Sequence, residues 1–133
     1  MEVNDYLMSE YQDGGRGEIV NGVMVADCWG LVRDARVELF GLPELPAWGI
    51  VDPNNKRQVT DAWHATEHHF TECDPSPGAL ACVFHGSLLL HVGIVIDADR
   101  GLSVLDTLPE QGPAVTPLVK YLEAHKQVRF YRD

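Results

Sequence analysis

Cys28 and His91 are the two residues whose types and surroundings best suit chemistry. Cys28 follows Asp27, a good N-cap residue, and opens a run with helical spacing, so its thiol belongs in the first turn of a helix. Backbone N–H groups without intrahelical partners and the positive end of the macrodipole favour a thiolate there, and the thiolate is the attacking species of cysteine chemistry. Asp27 opposes that effect unless its carboxylate is committed to capping. His91 interrupts the apolar run 88–96, where an imidazole is costly to bury without a hydrogen-bonding partner. Gly93 shares its face of the strand and leaves room beside the ring for another backbone or a ligand. A third group should hold the imidazole by its other nitrogen. Asp106 is the candidate, because it ends the strand expected to pair with that of His91; Asp97 and Asp99 read as ordinary turn aspartates. Such a set is that of a Cys–His–Asp hydrolase, which needs no cofactor. The bland alternative is a packed core cysteine and a hydrogen-bonded core histidine.

The elements that must position these residues follow from periodicity. A first helix is expected over residues 3–11, broken by Asp13-Gly14-Gly15-Arg16-Gly17. The next runs over Cys28–Phe40 and ends at Gly41 and Pro43. Its inner face carries Leu31, Val32, Ala35 and Leu39, and its outer face Arg33, Asp34, Arg36 and Glu38. Residues 42–55 hold three prolines and no clear period, which reads as a long surface loop. A third helix over 56–69 would turn Val59, Ala62, Trp63 and Thr66 inward. After a turn at 74–78, Leu80–His85 and the run 88–96 form a hairpin across Gly86-Ser87. A turn at 97–101, a strand over 102–107, a Pro/Gly-rich connection, a helical stretch over 116–126 and a last strand over 128–131 follow. Helices first and an antiparallel meander after them make an α+β plan, in a single domain over residues 1–133.

Composition narrows the function classes. Acidic residues outnumber basic ones 20 to 10, for a formal net charge of -10, a field that repels nucleic acid and anionic membrane surfaces. No apolar run reaches the roughly 20 residues of a membrane-spanning helix. The first residues lack the basic start and apolar stretch of a secretory signal, so a soluble protein made in the cytoplasm is expected. Cys28, Cys73 and Cys82 are an odd number of cysteines, which argues against a disulfide framework. Cys82 reads as a core residue. His64, His68 and Cys73 have a spacing that zinc could use, but no further ligand completes a pattern, and no metal is expected. Gly14-Gly15-Arg16-Gly17 is not framed as a phosphate loop. Trp63 reads as core, whereas Trp29 and Trp48 could pack or line a cleft.

Asp27-Cys28-Trp29-Gly30-Leu31-Val32 followed by His91-Val92-Gly93-Ile94 resembles the NlpC/p-sixty superfamily of papain-like cell-wall peptidases, whose usual pattern is Asp-Cys-Ser-Gly-Leu-Val and then His-Val-Gly-Ile. The aromatic at position 29, Tyr11 with Gly14-Gly15-Arg16, Pro77-Gly78 before the strands and the ending Arg129-Phe130-Tyr131-Arg132 are similar to the branch found in phage tail-tip proteins and gene transfer agents. The resemblance spans residues 6–133. It implies a papain-like fold with Cys28 as nucleophile, His91 as general base and Asp106 in a third position where tail-type members usually carry histidine. Ala79 departs from the pattern too, since the family usually has aspartate there. Tyr11, Asp27 and Trp29 are then expected beside the substrate, and the Cys28 backbone N–H as an oxyanion donor. The implied substrate is the peptide stem of peptidoglycan, cut at the amide from γ-D-glutamate to a diamino acid. The implied partners are tail-tip or baseplate proteins, and the implied setting is a phage-like tail acting on the bacterial cell wall. The competing readings are a non-catalytic tail-tip or assembly subunit, and a papain-like acyltransferase or amidase with another substrate.

Overall fold

The computed structural model describes residues 1–48, 52, 54–99 and 101–133. Part of the loop expected over 42–55, and Arg100 of the turn expected over 97–101, lie outside them. The chain starts with a short helix, α1 (Val3–Leu7), that ends well before residue 11. A helix this short has little stability of its own, and residues 10 and 11 instead join a sheet. β1 (Glu10–Tyr11) pairs in parallel with β3 (Val23–Ala26), and β2 (Arg16–Val20) pairs antiparallel on its other side. Asn21 and Gly22 join β2 to β3 with φ of 52° and 80°. That is the left-handed backbone of a tight hairpin, and Asn-Gly is the dipeptide that best tolerates it. This three-stranded sheet, absent from the plan read off the sequence, delivers the chain to Asp27.

α2 (Cys28–Phe40) has the expected bounds. Gly41 closes it in the left-handed conformation, with φ of 62°, and the Leu42 N–H donates to the Arg36 carbonyl at 3.0 Å. Arg36, expected on the outer face, is instead fully buried and ion-paired with Asp133 at 2.8 Å. α3 (Lys56–Thr66) and a 3-10 turn (Glu67–His69) follow. Thr60 takes the inward place expected of Ala62, and its hydroxyl accepts from the Leu89 N–H at 2.9 Å.

The second sheet has six strands: β4 (Thr71–Cys73), β5 (Leu80–His85), β6 (Leu88–Ala98), β7 (Gly101–Leu108), β8 (Gly112–Pro117) and β9 (Val128–Arg132). Their order is β4-β9-β5-β6-β7-β8, and every neighbouring pair is antiparallel. β8 carries Pro113 and Pro117 and lies at the edge, where a missing N–H breaks no inner ladder. α4 (Leu118–Ala124) is shorter than the helical stretch expected over 116–126, because Thr116 and Pro117 continue β8.

The core has two layers, one on each face of this sheet. Leu80, Cys82 and Phe84 of β5 pack with Trp29, Leu31, Val32 and Ala35 of α2 and with Val59 and Trp63 of α3. The alternate residues Ala79, Ala81 and Val83 pack with Tyr121 of α4 and Phe130 of β9. Both faces of the central strands are covered, which explains why β5 and β6 carry apolar residues on both faces rather than at alternate positions only. The fold is α+β. Its helices do not simply precede the sheet, however: β1, β2 and β3 come before α2, and α4 closes the far side.

Candidate active site

The start of α2 is built by two backbones in close approach. A Cβ on Gly30 would lie 2.0 Å from the Gly15 carbonyl oxygen, and one on Gly15 would lie 2.8 Å from the Ala26 backbone. Asp27 is 2% exposed, and its carboxylate is fully engaged. The Gly30 N–H and Arg16 Nη1 donate to its Oδ1 at 2.9 and 2.7 Å, and the Gly14 N–H donates to its Oδ2 at 3.0 Å. The negative charge that would oppose a thiolate at Cys28 is therefore paired with a guanidinium and committed to capping. Tyr11, set beside Ala26 by the β1–β3 pairing, donates its hydroxyl to Asp13 Oδ1 at 2.8 Å. Burial, then Asp13, raise its pKa. The Cys28 thiol is half-buried, and its N–H stands at the first helical position, where no intrahelical acceptor exists.

β6 and β7 pair from Ala98↔Gly101 to Ile94↔Leu105. Continuing that register sets Gly93 across from Asp106, and a Cβ on Gly93 would lie 3.3 Å from Asp106 Cβ and 2.5 Å from Val104 Cγ1. The room beside the imidazole that glycine promised is thus filled by β7. The missing side chain lets Asp106 reach along the sheet face to His91, two residues up the strand. The His91 Nε2–H donates to Asp106 Oδ2 at 2.8 Å, and both residues are buried. Burial opposes a charge on His91, but the hydrogen bond to Asp106 and the nearness of Cys28 outweigh it and push its pKa up to about 9. With Nε2 taken by Asp106, Nδ1 is the nitrogen left for the thiol. Thiol, imidazole and carboxylate so lie in one neighbourhood, an arrangement able to support a nucleophile, its base and the group that orients the base.

The loop before α3 walls this centre. Trp29 is buried, donates from Nε1 to the Pro46 carbonyl at 2.8 Å, and stacks on Trp48 with ring centroids 3.7 Å apart and planes 7° from parallel. Trp48 has φ of 68°, a conformation uncommon for an aromatic residue, and donates from Nε1 to Thr66 Oγ1 at 3.0 Å. Arg16 Nε donates to the Ala47 carbonyl at 2.9 Å. A one-residue bulge in β6 sets Val83 opposite His91 but Phe84 opposite Leu89, and the extra residue, Leu90, borders the cleft. Arg16, Cys28, Trp29, Trp48, Val59 and Leu90 enclose about 20 Å³ beside the thiol, room for roughly one water.

Of the residues singled out in the sequence, Cys28, His91 and Asp106 come together, with Tyr11, Asp27 and Trp29 around the start of α2. Asp97 ends up within β6 rather than in the turn, and Asp99 follows in the turn. Trp63 and Cys82 are fully buried. His64 pairs with Glu67 at 2.8 Å, Cys73 and Cys82 are free thiols, and no three metal-ligating side chains cluster among the described residues. Arg16, Tyr121 and His125 have a place here that the sequence did not reveal. The His125 ring lies 6.5 Å from that of His91 and 4.4 Å from that of Tyr121. Their only signal was a four-residue spacing in a helical stretch, which does not tell what the helix covers. No helix among the described residues is long and apolar enough to cross a membrane. Compared with known proteins, the chain matches no family model, no curated protein and no solved structure.

Proposed function

We propose that this chain is an NlpC-type cysteine peptidase of papain-like fold that cleaves a stem-peptide amide of peptidoglycan, the bond from γ-D-glutamate to a diamino acid, as part of a phage-like tail. The observation that carries the reading is His91, hydrogen-bonded to Asp106 at 2.8 Å and close enough to Cys28 for the sulfur to bear on its charge. The order of the cysteine and histidine motifs, with the cysteine opening a helix packed on an antiparallel sheet, supports the same reading. Asp106 replaces the histidine common in tail-type members, and a carboxylate is a good acceptor for the second imidazole N–H.

With its pKa near 9, His91 holds a proton at neutral pH, and an imidazolium beside the sulfur favours ion-pair chemistry. The proton His91 carries is the one the thiol gives up as its sulfur attacks the scissile carbonyl, and the Cys28 N–H, unengaged by the helix, receives the developing oxyanion. The imidazolium gives its proton to the leaving amine, and the neutral ring then activates the water that releases the acyl group. Asp106 keeps the ring in line throughout.

The test is release of fragments from muropeptides by the full chain and by Cys28→Ala. Cleavage should vanish in the variant while its melting temperature stays within a degree or so. Cleavage that survives would remove Cys28 as nucleophile. The narrow cleft under Trp48 favours a second reading, a tail-tip or assembly subunit that does not cleave. Under it, wild-type protein releases nothing from sacculi, and its Cys28 is alkylated no faster than an ordinary thiol.

A further inference from the structure

Tyr121 and His125 stand one turn apart at the end of α4, over the sheet face that carries His91 and Asp106. Tyr121 is 2% exposed and packs with Val95, Val104 and Phe130. Its hydroxyl is buried too, yet it completes no hydrogen bond of good geometry among the described residues. A buried phenol needs an acceptor. Its foremost charged neighbour is the Asp106 carboxylate, which accepts from His91 through Oδ2 and so keeps Oδ1 able to accept from a second donor.

We infer that Tyr121 is a positioning residue, its hydroxyl holding the Asp106 carboxylate in line with His91 without touching the substrate. The inference rests on the reading of Cys28, His91 and Asp106 as a catalytic set. The titratable groups that bear on His91 are Cys28 from α2, Asp106 from β7 and His125 just after α4, with Tyr121 beside Asp106 and His125. Burial, then the nearby Asp106 carboxylate, raise the Tyr121 pKa, so the phenol remains a neutral donor throughout the working range. The His125 ring lies against the Tyr121 ring.

The test is Tyr121→Phe in the full chain, which removes one oxygen and keeps the ring. In protein labelled with ¹³C-histidine, the His91 signal is assigned by its loss in His91→Gln and followed against pH. Its midpoint should fall by about one pH unit in Tyr121→Phe, a tenfold weaker hold on the proton. In Asp106→Asn, adding Tyr121→Phe should cause no further fall, because the route runs through the carboxylate. An unchanged midpoint with only a lower melting temperature would make Tyr121 a packing residue and overturn the inference. A further fall in the Asp106→Asn background would overturn it as well. The titration needs no substrate, so it reads Tyr121 even if muropeptides are not cut; absent cleavage counts against the proposed activity alone.

Discussion

Gly30 has no side chain, and the site depends on that. The Gly15 carbonyl oxygen occupies the space a Cβ would need, 2.0 Å away, and both groups belong to backbone that cannot rotate aside. Gly30→Ala is expected to cost about 3 kcal/mol or more and to loosen the Gly14 and Arg16 contacts to Asp27. Denaturant unfolding checks this, and a loss well under about 1 kcal/mol would mean the turn yields easily. Cys28 and His91 were visible in the sequence because each breaks its local pattern, a thiol at a helix start and an imidazole in an apolar strand. Arg16 was not, because nothing in Gly-Gly-Arg-Gly says that the guanidinium turns back to Asp27.

Among the elements, α2 shows both the reach and the limit of periodicity. Its bounds follow from Asp27 and Gly41, and its inner face from the spacing of Leu31, Val32 and Ala35. Arg36 defeats the pattern: it is fully buried, held by both carboxylate oxygens of Asp133 at 2.8 and 3.0 Å, with its guanidinium 5.4 Å from the Phe70 ring centroid. Asp133→Ala removes the carboxylate that pairs with this buried cation among the described residues and should cost about 2 kcal/mol, between the values for exposed and buried pairs, since Asp133 itself faces solvent. Thermal melting checks this; an unchanged midpoint would mean that water replaces the carboxylate. The hairpin at Asn21-Gly22 was legible in its dipeptide yet absent from the expected plan. β8 was hidden for the opposite reason, because prolines that read as a connection are tolerated at a sheet edge.

At the level of the whole molecule, the His91–Asp106 pair links folding to pH. The His91 pKa rises from an ordinary 6.5 to about 9 in the folded chain. Its contribution to stability is therefore complete below about pH 6.5 and declines as pH rises through 9. Denaturation midpoints measured from pH 6 to 10 should fall in that window, and Asp106→Asn should flatten the fall. A profile equally steep in that variant would assign the effect to other groups.

Caps, periods and breaks are local physics, and the sequence expresses them directly: an α+β chain, a helix opening at Cys28, a histidine that needed a partner, a nearby aspartate able to serve. The meeting of these groups is not local. β6 and β7 share a register that, with no side chain at Gly93, brings Asp106 to His91, and the turn at Gly15 sets the start of α2. α4 comes to lie on the face that makes Tyr121 a neighbour of Asp106. Strand register and the choice of sheet face are set by packing many distant side chains at once, so no window of the sequence contains them.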